Sequence, residues 1–151
     1  MKGIQKMQLM LAAFALAAVP VFADRIISVN DLPQNIRDTL AEAFPENQIH
    51  RAKADSKEYE ITLADGTEID FYRDGEWKEI DSYSGIPALL LPEYVTEYVA
   101  ANFPGETVCT AEKNRRELEV ELSDGTELYF SYDGSFLGQK TGAHHRSHHH
   151  R

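Results

Sequence analysis

The sequence predicts an α+β fold: two tandem helix-plus-four-strand repeats that form one antiparallel sheet with the helices on one face. Three observations predict it. The chain matches itself without a gap at an offset of 59, residues 32–78 and 91–137 sharing 16 identities in 47 positions. In each copy apolar residues first recur every four positions and then alternate, a change from helical to strand period. Asp-Gly pairs punctuate the alternating stretches at hairpin spacing.

Residues 1–23, MKGIQKMQLMLAAFALAAVPVFA, read as a secretory signal peptide. Lys2 and Lys6 form a basic start, Met7 to Val19 is largely apolar, and Val21-Phe22-Ala23 suits cleavage. A spanning helix would need about 20 apolar residues, and Pro20 interrupts this run. No cysteine lies near the cleavage site for lipid attachment, so the mature protein is expected to be periplasmic or secreted, with no membrane insertion after cleavage.

The domain is expected over 24–140, with repeats 26–82 and 85–140. In the first, Leu32-Pro33 opens a helix capped by Asn30 or Asp31, and Phe44-Pro45 closes it. Leu32, Ile36, Leu40 and Phe44 form its apolar stripe; Leu91, Val95, Val99 and Phe103 form the matching one. A short strand around Gln48–Ala54 follows. Next come Tyr59, Ile61 and Leu63 alternating with Glu58, Glu60 and Thr62, then Ile69 and Phe71 between Glu68, Asp70 and Tyr72. A three-residue loop, Ala64-Asp65-Gly66 with Gly66 left-handed, keeps the apolar faces together by pairing Ile61 with Ile69 and Tyr59 with Phe71. The same logic at Arg73-Asp74-Gly75 pairs Phe71 with Trp77. The second copy repeats this from Thr107–Ala111 through Leu118, Val120, Leu122, Leu128 and Phe130.

Residues 141–151, TGAHHRSHHHR, have nothing to bury and are expected to be disordered. His144, His145, His148, His149 and His150 could grip Zn or Ni loosely, although no acid or Cys completes a ligand set. A purification remnant and a natural metal-sequestering tail would look alike.

Composition narrows the function. The 151 residues carry 15 basic and 25 acidic side chains, a net −10. Setting aside residues 1–23 and 141–151 removes Lys2, Lys6, Arg146 and Arg151 and no acid, leaving 11 basic against 25 acidic groups, or −14. That excludes a nucleic-acid binder, which needs clustered Lys and Arg. Catalysis has no visible machinery. His50 and Cys109, the one histidine and one cysteine of the domain, fall at the same repeat position with no base or orienting partner. Cys109 reads either as a small buried hydrophobe or as a free thiol. The Asp-Gly-Thr triplets at 65–67 and 124–126 sit in polar hairpins and are turn chemistry. No cofactor motif is present: neither GxGxxG, a P-loop nor HExxH occurs, and the acids lack EF-hand spacing.

The order Leu-Pro, helix, Phe-Pro, strand, Glu-x-Glu-[Ile/Val]-x-Leu, Asp-Gly-Thr-Glu-[Ile/Leu]-x-Phe and Asp-Gly-x-[Trp/Phe], given twice over residues 26–140, resembles the PepSY-like family. The resemblance implies a secreted protein of the kind common in Bacteroidetes and a tandem fold similar to β-lactamase inhibitory protein. It implies no catalytic residues, and related PepSY domains are thought to bind or restrain peptidases. The shared motifs are turns, caps and core positions, so they speak to fold and hardly to chemistry; β-lactamase inhibition itself would be analogy.

One surface asks for more than fold. The predicted register puts Glu58, Glu60, Glu68, Asp70, Glu117, Glu119, Glu121 and Glu127 with Tyr72 and Tyr129 on the sheet face away from the helices. Glu60 then opposes Asp70 and Glu121 opposes Glu127, which costs stability. Lys78 is expected opposite Asp70. A solvated face screened by salt would tolerate this. An aromatic-studded acidic sheet that steers and holds a basic protein or peptide would use it. Divalent cations bridging the carboxylates are a third use.

Overall fold

The computed structural model describes residues 25–141. A two-residue strand, β1 (Arg25–Ile26), leads through a 3-10 turn at Val29–Asp31 into α1 (Gln34–Ala43). Strands β2 (Ile49–Ala54), β3 (Glu58–Leu63), β4 (Glu68–Tyr72) and β5 (Trp77–Asp81) follow. A second 3-10 turn, Ala88–Leu90, precedes α2 (Glu93–Asn102) and β6 (Val108–Lys113), β7 (Glu117–Leu122), β8 (Thr126–Ser131) and β9 (Phe136–Thr141). All nine strands form one sheet in chain order, each antiparallel to the next. The α+β class and the helix-plus-four-strand unit given twice are as expected.

Each helix starts directly after its proline, whose missing N–H is no loss there. Neither Asn30 nor Asp31 caps α1: both lie in the preceding 3-10 turn, and Pro33 takes the cap position without a side-chain bond. The inward helical residues, Ile36 and Leu40 on α1 and Val95 and Val99 on α2, join a single core with the sheet. On the sheet that core is a lateral row, Ala52, Ile61, Ile69, Ile80, Ala111, Val120 and Leu128, each paired with the next across seven strands. None of the seven is more than 2% exposed. The two copies therefore share one continuous floor.

The hairpins confirm the three-residue loops. Thr62 pairs with Glu68, and Ile61 with Ile69. Gly66 has φ +89° and donates its N–H to the Leu63 carbonyl, while Asp65 accepts from the Thr67 N–H at 2.8 Å. Left-handed backbone after a polar Asx turn is why Asp-Gly stands there. Thr67 and Thr126, the third residue of each triplet, are buried. Thr67 and Ser82 share a hydroxyl contact of 3.1 Å.

One register differs from the expectation. Glu79, not Lys78, lies opposite Asp70, because β5 carries a bulge between its pairings to Asp70 and Phe71. Trp77 and Ile80 are three residues apart and both are buried, which strict alternation forbids; one extra residue on the strand turns both inward. Lys78 is that residue, and its ammonium pairs with Glu58 at 2.8 Å instead. Ladder shifts also occur at Ile49/Arg51, at Val108/Thr110 and on β8–β9 beside Phe136. Val108 and Ala111 repeat the three-residue spacing of buried positions.

The acidic sheet face

Displaced by one residue from the core row, and on the opposite face, runs a second lateral row. Its members are Lys53, Glu60, Asp70, Glu79, Glu112, Glu119, Tyr129 and Gly138, each paired with the next from β2 to β9. Five consecutive members are carboxylates. Neighbouring strands lie about 4.8 Å apart, so the fold stacks these acids at near-contact spacing. Beside it runs Arg51, Thr62, Glu68, Asp81, Thr110, Glu121, Glu127 and Lys140.

All ten residues singled out from the sequence lie on these strands. Glu60, Asp70, Glu119 and Tyr129 belong to the first row; Glu68, Glu121 and Glu127 belong to the second. Glu58 opposes Tyr72 near the hairpin end, and Glu117 opposes Ser131. Glu79 and Glu112 completed the row unforeseen. The Trp77–Ile80 spacing was the signal for Glu79, since it reveals the bulge that turns Glu79 outward. Glu112 needed the pairing of β5 with β6, which joins the two copies.

Lysines sit at the flanks. Lys53 bonds Glu60 at 2.8 Å, and Lys140 bonds Glu127 at 3.2 Å and the Tyr129 hydroxyl at 2.9 Å. The Tyr129 hydroxyl also donates to Glu127. Hydrogen bonds from Tyr129 and Lys140 hold the Glu127 carboxyl below its ordinary range. Between these flanks the carboxylates perturb one another. Burial, then Glu58, Glu60 and Glu79, push Asp70 up to about 7. Burial and the facing Glu112 raise Glu79; burial and Glu127 raise Glu119. Lys78 opposes the rise at Asp70 and Glu79 without cancelling it. Such a row stores repulsion that a cation brought from outside would relieve.

Among the described residues, His50 and Cys109 do not form a nucleophile–base pair. His50 is exposed on β2 and Cys109 is half-buried on β6, four strands away. Cys109 is a free thiol in the β6 bulge, 3.8 Å from the Thr107 hydroxyl. Among the described residues no group of three or more His, Cys, Asp or Glu is arranged to hold a metal ion. Residues 1–24 and 142–151 lie outside the described part, and with them the expected signal peptide and the five tail histidines. On the helix side, a mostly apolar groove of about 670 Å³ runs between α2 and the loops around 84–88 and 103–108.

A tandem helix-plus-four-strand meander with both helices on one face and an open acidic reverse defines the architectural class. The family model described as "Putative beta-lactamase-inhibitor-like, PepSY-like" matches residues 23–65 and 57–138. The chain belongs to this PepSY-like family. Three solved structures share the fold. A putative periplasmic protein of unknown function from Bacteroides vulgatus is 30% identical, with a TM-score of 0.72 and coverage of 78% of this chain and 99% of its own. Another from the same organism is 29% identical, with a TM-score of 0.73 and coverage of 78% and 96%. A putative calcium-regulated periplasmic protein from Bacteroides thetaiotaomicron is 27% identical, again with a TM-score of 0.73 and coverage of 78% and 96%. No curated protein matches the chain. These periplasmic relatives agree with the location expected from the sequence, and no helix among the described residues is long and apolar enough to cross a membrane.

Proposed function

We propose that the protein is a non-enzymatic extracytoplasmic binding module, inhibitor-like in class, that presents its open acidic face to a basic protein or peptide. The carrying observation is the in-register row Glu60–Asp70–Glu79–Glu112–Glu119. Within a rigid sheet these carboxylates keep their spacing, so a cationic partner would meet a preorganised field that speeds encounter. Tyr129 at one end and exposed Tyr72 nearby supply aromatic contact area of the kind enriched at interfaces. The test is capture from periplasmic extract by the wild-type chain and by a variant carrying Glu60→Gln, Asp70→Asn, Glu79→Gln, Glu112→Gln and Glu119→Gln. A specific partner released by moderate salt and lost in the variant supports the reading; identical capture by both refutes it.

A second reading, cation binding, is favoured by one observation: a structural neighbour is described as calcium-regulated. Titration calorimetry of the full chain with Ca²⁺, and with Zn²⁺ against a variant with the five tail histidines changed to Ala, separates carboxylate sites from tail sites. Heats at the dilution background for both ions would remove it.

A further inference from the structure

The two copies meet along β5 and β6, and there the acidic row is least relieved. Three residue pairs make this ladder: Glu79 with Glu112, Ile80 with Ala111 and Asp81 with Thr110. The Ser82 N–H extends it by donating to the Cys109 carbonyl at 2.8 Å. The β3–β4 and β7–β8 ladders have five pairs each. The repeat explains why the acids collide here. At an offset of 59, Glu112 stands where the first copy has Lys53, which forms an ion pair with Glu60. The second copy thus begins its row with an acid facing Glu119 on one side and Glu79 on the other.

We propose that this seam is a pH-responsive joint: Asp70, Glu79 and Glu119, lined up in one row with Glu112, hold the two copies together more firmly when they carry protons than when they are ionised. The inference goes beyond any reading of what the face binds. The charged groups around the four are distributed unevenly. From β3, Glu58 and Glu60 add negative charge; from β5 itself, Asp81 does the same. Lys78 is drawn to Glu58, and Lys113 extends on the other face, its ammonium 4.1 Å above the Trp77 ring and 3.3 Å from Glu76. On the outer strands, Lys53 pairs with Glu60, and Lys140 with Glu127 and Tyr129; Glu117 and Glu121 of β7 add more acid. No lysine of the row itself lies between Glu60 and Tyr129.

The direction follows from linkage. A carboxyl whose folded value lies above its unfolded one binds more protons in the fold. Its stabilising contribution is therefore complete below the ordinary carboxyl range and is lost as pH rises through the folded value, about 7 for Asp70. Glu79 and Glu119 are raised in the same sense.

The test uses the full chain, with melting temperature and acrylamide quenching of Trp77, the single tryptophan, which lies on β5 under the β6 lysine. The wild type is expected to melt roughly 5 °C higher at pH 5.5 than at pH 8.5, with Trp77 more quenched at pH 8.5. Glu79→Gln, which keeps the side-chain shape, and Glu112→Lys, which installs the first copy's residue, should each at least halve both differences. Glu97→Gln, the same charge change on the exposed back of α2, should leave them intact. A melting temperature that is flat or rises with pH, variants that keep the full difference, or equal quenching at both pH values would each overturn the proposal.

Discussion

Gly75 and Gly66 occupy the same kind of turn with φ of +93° and +89°, yet alanine should cost more at the first than at the second. At Gly66 an added Cβ meets nothing within 4 Å, so only left-handed backbone strain remains, about 1–1.5 kcal/mol. At Gly75 the Cβ would lie 2.0 Å from Asn35 Nδ2 and 2.7 Å from its Cγ. Asn35 must swing away and give up its 2.9 Å bond to the Asp74 carbonyl, a solvent-exposed bond worth about 0.5–1 kcal/mol. Gly75→Ala should therefore lose about 2 kcal/mol, in excess of Gly66→Ala by the value of that bond. Urea unfolding of both variants and of the Asn35→Ala double mutants measures the difference. In the Asn35→Ala background the cost at Gly75 should fall to that at Gly66. Equal costs in the wild-type background, or an undiminished cost at Gly75 without Asn35, would refute the reasoning.

Three further outcomes are expected. Asp70→Asn should stabilise the fold at pH 7.5: a carboxyl moved from 3.8 to about 7 corresponds to roughly 4 kcal/mol unscreened, and solvent access to this half-buried group leaves about 1–2 kcal/mol; the gain should shrink toward pH 5 in urea titrations. Ile80→Ala should cost about 2–5 kcal/mol by opening a cavity in the core row, whereas Gln139→Ala, the same repeat position on exposed β9, should stay within about 0.5 kcal/mol. Thr67→Val should lose about 1 kcal/mol, because it removes one hydroxyl of a buried pair while Ser82 Oγ keeps the Gly85 carbonyl as a partner at 3.2 Å.

Local pattern was enough for much of this molecule. The four-residue stripe of α1, the left-handed Gly66 and the Ile61–Ile69 and Tyr59–Phe71 pairings follow from periods and turn chemistry carried by adjacent residues. The bulges were harder, since a single inserted residue breaks alternation at one place only; it is visible as the three-residue spacing of Trp77 and Ile80, or of Val108 and Ala111. The acidic face was legible as a set of outward acids on β3, β4, β7 and β8. Its organisation into one row was not, because that depends on a ladder between β5 and β6, two strands 27 residues apart at their nearest ends and belonging to different copies. Glu112 became part of the site only through that long-range pairing, whereas Glu79 joins it through the local β4–β5 ladder opposite Asp70.

The seam also bears on the outer edge of β9, the last strand among the described residues. β5 accepts β6 along its outer edge, and β9 is the same strand of the second copy, so its backbone offers a similar edge to any passing strand. Ile80, a floor residue at the seam, becomes Gln139 on β9; Glu79 becomes Gly138 and Asp81 becomes Lys140. A newcomer strand at β9 would find no apolar floor to continue and would meet a lysine on the rim, two devices that discourage edge-to-edge growth. In the logic of repeat arrays the second copy is thus a terminal cap, and a chain lengthened by a third 59-residue unit would need its middle unit to end as β5 does, with isoleucine at this position.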